Sequence, residues 1–259
     1  METVTFSQCV RGAWKSARST TFERPVVALI LFVALLLTSY MQAKTNLVLA
    51  QDSSQTAHTG LALIGALAAL VKSCVIIDVF LFVVRHTLLG ATATQGFAFV
   101  DKAFWRYVGA SLLIVLGILA AVVVLSLVVV FALGSRPTWW WPMALIALVA
   151  WLVGVRASLV FTHIAIGNTI QWRAAWQDSR GHFWSITLTY LIAMLPLIAV
   201  ALVFVAGYEL ALRDMIGAAY QAQLIALGAA VWMYATCSLH AACSAWLYRR
   251  YAVQLLETA

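Results

Sequence analysis

The sequence predicts an all-α polytopic membrane protein with six transmembrane helices, and three observations predict it. Hydrophobic residues make up 64% of the chain and charged residues only 10%, far from the composition of a water-soluble domain. The apolar residues gather into six runs, each near the roughly 20 residues a helix needs to cross about 30 Å of hydrocarbon. Between the runs lie short segments rich in Trp, Arg and Lys, with no stretch left for a soluble domain, so 1–259 reads as a single membrane domain. In lipid every backbone polar group has to be satisfied within its own segment, and helices do that for runs of this length.

The spans fall at 26–43, 61–84, 108–133, 142–166, 186–207 and 222–247. Pro25 opens the first, Gly134-Ser135-Arg136-Pro137 closes the third, and Asp214 with Gly217 precedes the sixth. The first span reads as a retained helix rather than a cleaved signal, because the polar stretch before Pro25 is longer than a signal's basic leader. Orientation follows from Lys and Arg. With the N-terminus inside, Arg11, Lys15, Arg18, Arg24, Arg85, Lys102, Arg106, Arg173, Arg180, Arg249 and Arg250 are cytoplasmic, and only Lys44, Arg136 and Arg213 face out. Six spans return the C-terminus to the same side, and the expected location is a bacterial inner membrane. The net charge of +7 therefore lines one membrane face, where it attracts anionic head groups. It does not mark a nucleic-acid binder, since no solvated basic domain is present. Cys9, Cys74, Cys237 and Cys243 form no C-x-x-C pair, and their predicted positions argue against disulfides.

The breaks on the cytoplasmic side have helical periodicity of their own. Over residues 4–18, Phe6, Val10, Ala13, Trp14 and Ala17 share one face, while Arg11, Lys15 and Arg18 share the other. That is the pattern of a helix lying in the interface. Residues 95–106 and 168–184 repeat it, with Asn168 placed to cap the latter. The residues expected to meet lipid head groups are Arg11, Trp14, Lys15, Arg18, Lys102, Trp105, Trp176, Arg180 and Trp184.

Each interfacial segment precedes a pair of spans, which suggests three repeats, about 4–84, 95–166 and 168–247, of an interfacial helix plus a transmembrane hairpin. Ala13-Trp14-Lys15-Ser16-Ala17-Arg18 aligns with Ala175-Trp176-Gln177-Asp178-Ser179-Arg180, and the middle copy offers Ala98-Phe99-Val100-Asp101-Lys102. The alternative is that any interfacial helix collects Trp, Phe and Arg. Under the repeat reading the second, fourth and sixth spans are equivalent and line one centre.

Val155-Arg156-Ala157-Ser158-Leu159-Val160-Phe161, Ile166-Gly167-Asn168, and the segment from Ala174-Ala175-Trp176 to Gly181-His182-Phe183-Trp184 carry a family likeness. This stretch, 155–184, resembles the signature of bacterial six-span membrane proteins of the YciC-like and glycerophosphodiester-phosphodiesterase membrane-domain type. There a membrane Arg is followed by a helix break and an amphipathic A-W-x-x-x-x-G-x-F-W segment. The resemblance implies a six-span membrane domain with no hydrolytic role of its own.

Charged residues inside spans cost at least a few kcal/mol at the bilayer centre unless paired or hydrated. Three qualify: Lys72, Asp78 and Arg156. Asp78 and Arg156 sit at similar depths in the second and fourth spans and are expected to form a buried ion pair, either a structural clamp or part of a polar site. Lys72 points elsewhere. His86, His163 and His240 recur at intervals of 77 residues, each followed four residues later by Gly90, Gly167 or Ser244. An exact repeat would bring three imidazoles together near the cytoplasmic interface, a set suited to Zn²⁺ or Cu, with Cys237 and Cys243 beside His240. On the alternative that the spacing is coincidental, no cofactor is expected.

Serine-hydrolase, zinc-protease and phosphate-loop motifs are absent. The Trp139-Trp140-Trp141 run reads as an outer aromatic anchor, Pro196 predicts a kink, and small residues such as Gly65 and Gly228 favour close helix contact, including with a second copy or a membrane partner. Three functions stand in order. The first is a non-catalytic inner-membrane protein with a scaffolding, assembly or envelope-related role that grips anionic lipid. The second is a small transporter or lipid-handling permease with a polar path near Asp78 and Arg156. The third is a metal-binding protein built on the histidines.

Overall fold

The chain is a bundle of six long helices with short helices gathered at one end. The computed structural model describes residues 4–51, 55–90, 98–133, 140–212 and 218–257, and no strand occurs among them. The elements are α1 (Phe6–Glu23), α2 (Pro25–Gln51), α3 (Gln55–Leu89), a 3-10 turn (Ala98–Val100), α4 (Lys102–Leu133), α5 (Trp140–Ala165), α6 (Trp172–Asp178), α7 (Phe183–Gly207) continued by a π-helical turn (Tyr208–Leu212), α8 (Ala218–Tyr251) and α9 (Gln254–Glu257). α2, α3, α4, α5, α7 and α8 are each long and apolar enough to cross a membrane. The protein is thus a multi-pass membrane protein. Most of these helices overrun the apolar runs that announce them, since a polar residue in an end turn leaves the backbone ladder intact. Arg136, Trp139, Arg213, Asp214 and Gly217 lie outside the described residues.

The end bearing α1, α6 and α9 is the basic end, and α3, α5 and α8 finish there. α3 is buried on every side from Asp78 to Val84, and α8 is buried almost without break from Ser238 to Tyr248. A helix apolar all round belongs at a bundle centre. α5 joins them through Leu159, Val160, Ile164 and Ala165. Towards the far end the pattern inverts, and Leu112, Val124, Leu145, Leu202 and Val203 are exposed, as a lipid-facing belt requires.

The interfacial segments are not alike. α1 begins at Thr5 with a capping box: the Gln8 N–H donates to the Thr5 hydroxyl at 3.4 Å, and the Thr5 N–H donates to Gln8 Oε1 at 2.7 Å. Residues 98–106, by contrast, form one 3-10 turn followed directly by the first turn of α4, so the interfacial helix expected over 95–106 does not form there. Asp101 explains the tight turn, accepting from the Ala103 N–H at 3.3 Å. Nor does Asn168 cap α6. Gln171 occupies that position and makes no side-chain capping hydrogen bond, and the Asn168 N–H instead donates to the His163 carbonyl at 3.3 Å.

The 77-residue spacing also parts company with itself. Gly90 and Gly167 have φ of +85° and +100° and end α3 and α5, in the left-handed conformation glycine tolerates. At the matching place Ser244 donates to the His240 carbonyl at 2.9 Å, and α8 continues to Tyr251.

α1 does not float on the surface. It lies along α8, where a side chain at Gly12 would meet the Trp246 indole at 2.4 Å, and the Trp246 N–H donates to Ser16 Oγ at 3.1 Å. Cys9 is buried in the same seam; burial pushes its thiol up, with Arg250 pulling it part of the way back. All four cysteines are free. Gly12→Leu forces a rigid, hydrogen-bonded indole out of place. It is expected to destabilise by about 1–3 kcal/mol, read as a lower melting midpoint in detergent and faster tryptic cleavage at Arg11 and Lys15; unchanged values would contradict this packing.

Candidate functional site

The site with the clearest chemistry is built where α5 meets α6. Past Gly167 the chain runs without helix to Gln171, then makes the short α6, and Gly181 at φ +82° lets it enter α7. Asp178 fixes this piece in place. Its carboxylate is buried and accepts from the Gln254 and Leu255 N–H groups at 3.0 and 3.1 Å, tying α6 to the start of α9. Arg173, Trp176 and Gln177 follow i, i+3, i+4 spacing and share one face of α6, and Arg180 joins them from the turn that follows the helix.

That face and Arg156 of α5 line a cavity of about 500 Å³. The Arg156 guanidinium lies 4.0 Å from the Trp176 ring centroid, a cation–π contact that offsets part of the cost of a cation on a membrane-spanning helix. Trp151 extends the aromatic border, 5.2 Å from Phe183 and 6.1 Å from Trp184. The ion pairs among the described residues are Arg85–Asp101 and Glu23 with His86, so Arg156, Arg173 and Arg180 bring three guanidiniums to one cavity with no carboxylate paired to any of them. Planar guanidiniums present forked donors that match phosphate and carboxylate oxygens. The chemical competence of the cavity is anion binding.

The expected Asp78–Arg156 ion pair is not formed. Asp78 is only 2% exposed, and its carboxylate accepts from the Ala98 N–H at 2.7 Å, at the 3-10 turn before α4. Arg156 turns to Trp176 instead. Equal depth on two helices does not make their side chains face each other, and a free backbone donor was nearer. Lys72 donates to Gln42 Oε1 of α2 at 3.1 Å.

The three histidines go to three different places. His86 pairs with the Thr20 hydroxyl at 3.0 Å and with Glu23 at 3.1 Å. His163 is fully buried, with Nδ1 2.8 Å from the Tyr248 hydroxyl. His240 stacks on Tyr190, ring centroids 4.7 Å apart. No group of three or more His, Cys, Asp or Glu side chains among the described residues is arranged to hold a metal ion. The residues expected at the lipid interface are all exposed; Trp105 is 64% and Trp184 67% exposed.

Sequence reasoning passed over a set of arginine contacts that brace the basic end. Arg85 of α3 donates to the Ala165 carbonyl at the end of α5 at 2.7 Å and pairs with Asp101. Arg106 of α4 donates to the Gly167 and Asn168 carbonyls at 3.1 and 3.3 Å, and Arg249 of α8 donates to the Thr87 carbonyl of α3 at 2.5 Å. Arg85 and Arg249 meet carbonyls that a helix end leaves without a partner, at the negative end of its dipole, and Arg106 holds the turn just past α5. Arg173 was legible only as one more cytoplasmic cation; its spacing to Arg180 was the available signal. Comparison with protein-family models, curated proteins and solved structures finds no match.

Asp101 supplies a pH test of the brace. Burial alone would raise its carboxyl, but the hydrogen bond and charge of Arg85 with the Ala103 and Lys102 N–H groups outweigh burial and hold it below the usual carboxylate range. A carboxyl depressed in the folded state stabilises above its unfolded pKa of about 4, and that contribution fades as the pH falls through the lower folded value. Asp101→Asn is therefore expected to lower the melting midpoint at pH 7, with the gap to wild type closing under acid conditions below about pH 4. A gap independent of pH would remove Asp101 from this role.

Proposed function

We propose that this multi-pass protein is a non-catalytic inner-membrane component that holds phosphate-bearing lipid head groups at its basic end, in a scaffolding, assembly or envelope role. The observation that carries the reading is the cavity of Arg156, Arg173 and Arg180, walled by Trp176, with no carboxylate partner among the described residues. It lies on the side where Lys and Arg concentrate, with Trp176 exposed at its wall, the arrangement expected at a cytoplasmic leaflet with anionic lipid. Arg11, Lys15, Arg18 and Lys102, exposed with Trp14 and Trp105, extend the same cationic and aromatic rim. Orientation with both termini inside follows from the same count of cations. The 155–184 segment that resembles the YciC-like membrane-domain type contributes Arg156, Trp176 and Arg180, and membership of that type is part of this proposal. A polar path through Asp78 has less to support it, since that carboxylate is buried and bound to the Ala98 N–H.

Titration of the detergent-purified chain with short-chain phosphatidylglycerol, phosphatidylcholine and inorganic phosphate separates head-group binding from bulk apolar uptake. Saturable binding is expected for phosphatidylglycerol over phosphatidylcholine, weakened about fivefold by each of Arg156→Gln, Arg173→Gln and Arg180→Gln. Equal binding of the two lipids, or full binding by the triple variant, would overturn the reading; tight binding of free phosphate alone would replace the lipid with a soluble anion.

A further inference from the structure

A second feature lies inside the bundle and owes nothing to the arginine cavity. Between Ser238 and Tyr248 on α8, His240 is the one exposed residue; its neighbours Leu239, Ala241, Ala242, Cys243 and Ser244 are buried. Its neighbours along α8 are packed and its ring lies against those of Phe80 and Tyr190, so the exposed surface of His240 marks a gap beside these rings. Neither ring nitrogen of His240 has a hydrogen-bond partner among the described residues. At membrane depth an imidazole without a partner has no bulk water to turn to, so a ligand with an acceptor or donor gains by meeting it.

Beside this gap five of the spans each contribute one ring to a row of successive neighbours. Phe161 of α5 is 4.5 Å from Tyr107 of α4, Tyr107 is 5.3 Å from Phe80 of α3, Phe80 is 6.1 Å from His240 of α8, and His240 is 4.7 Å from Tyr190 of α7. Tyr190 is held by a 2.7 Å hydrogen bond to Ser244. On the basic side of this collar the packing is closed, with Ile164, Ala165, Ile186 and Leu247 fully buried. On the far side none of the described residues 111–128 of α4, 144–154 of α5 or 194–210 of α7 is buried. The collar is the floor of a crevice that faces the lipid-level half of the bundle.

We propose that this crevice binds an uncharged, planar, hydrogen-bond-accepting ring on an apolar tail, the chemistry of an isoprenoid quinone, with His240 donating to a ring carbonyl and Tyr190 and Phe80 beside it. Access from the hydrocarbon level selects a lipid-soluble ligand. The collar contains no charged side chain, and the nearest carboxylate along α3, Asp78, is committed to the Ala98 N–H, so neither an anionic head group nor a desolvated cation finds a counter-charge. A plain acyl tail leaves both imidazole nitrogens without a partner, whereas a ring carbonyl supplies an acceptor and stacks on the aromatic faces.

The test titrates the detergent-purified full chain with decylubiquinone, following tryptophan quenching. Saturable binding is expected, about tenfold weaker in His240→Leu, which keeps the volume and removes the donor, and unchanged in Arg173→Gln. No saturable binding by wild type, or equal binding by a folded His240→Leu, overturns the proposal. Should that variant fail to fold, wild-type protein decides: diethyl pyrocarbonate should modify His240, and decylubiquinone should protect it. Failure of decylubiquinone to protect, or protection by tetraphenylphosphonium or short-chain phosphatidylglycerol to the same extent, overturns the assignment. Loss of head-group binding in the arginine variants leaves this result untouched, so the two sites fail separately.

Discussion

Everything at the basic end depends on how the last carbonyls of α3 and α5 are satisfied. A helix leaves its final C=O groups without intrahelical partners, and near a membrane few waters are at hand to take their place. Here the partners come from other helices: Arg249 of α8 closes the end of α3, and Arg85 of α3 closes the end of α5, while Arg106 of α4 takes the turn that follows. Each bond removes an orphan acceptor and sets the height of one span against another. Because the guanidinium is already charged and multidentate, the same groups complement the negative ends of these helix dipoles. The positions of Arg156 on α5 and of the aromatic collar follow from this cross-bracing.

A consequence is that the cations biasing the chain toward one leaflet do two kinds of work. Arg85, Arg106 and Arg249 are consumed in closing helix ends, whereas Arg156, Arg173 and Arg180 border an open cavity without acidic partners among the described residues. Composition treats these groups alike. Their partners distinguish them. One turn deeper the chemistry becomes neutral, with hydroxyls, thiols, aromatic rings and imidazole, as suits a region where an unpaired charge costs several kcal/mol.

The architecture was legible because lipid imposes a length and an apolar composition on every span, and α2, α3, α4, α5, α7 and α8 carry both signals in plain form. α1 was legible for a second reason, its 3.6-residue apolar stripe, while the Thr5–Gln8 capping box that starts it emerged only from the fold. What failed did so where azimuth or a local acceptor decides. Asp78 and Arg156 match in depth, but depth along a helix says nothing of the direction in which a side chain leaves it, and the Ala98 N–H was closer. His86, His163 and His240 match in spacing, yet Gly90 and Gly167 end their helices while Ser244 bonds back to His240 and lets α8 run on. Residues 98–106 have interfacial composition, but Asp101 turns the chain tightly and Lys102 already belongs to α4. The ring sequence from Phe161 to Tyr190 draws one residue from each of five distant segments, and no local pattern announces such a set.

The seam between Gly12 and Trp246 joins α1 to α8, two helices with all the other spans between them in the chain. A chain delivered to the bilayer from its N-terminus holds α1 without its seat until α8 has entered, because the indole that fills the space over Gly12 is synthesised only after α2 to α7. Until then the apolar stripe of α1 can rest only on the membrane surface. Docking of α1 thus reports the arrival of α8, and a chain cut short before Trp246 would carry an unseated amphipathic helix that quality-control proteases could recognise.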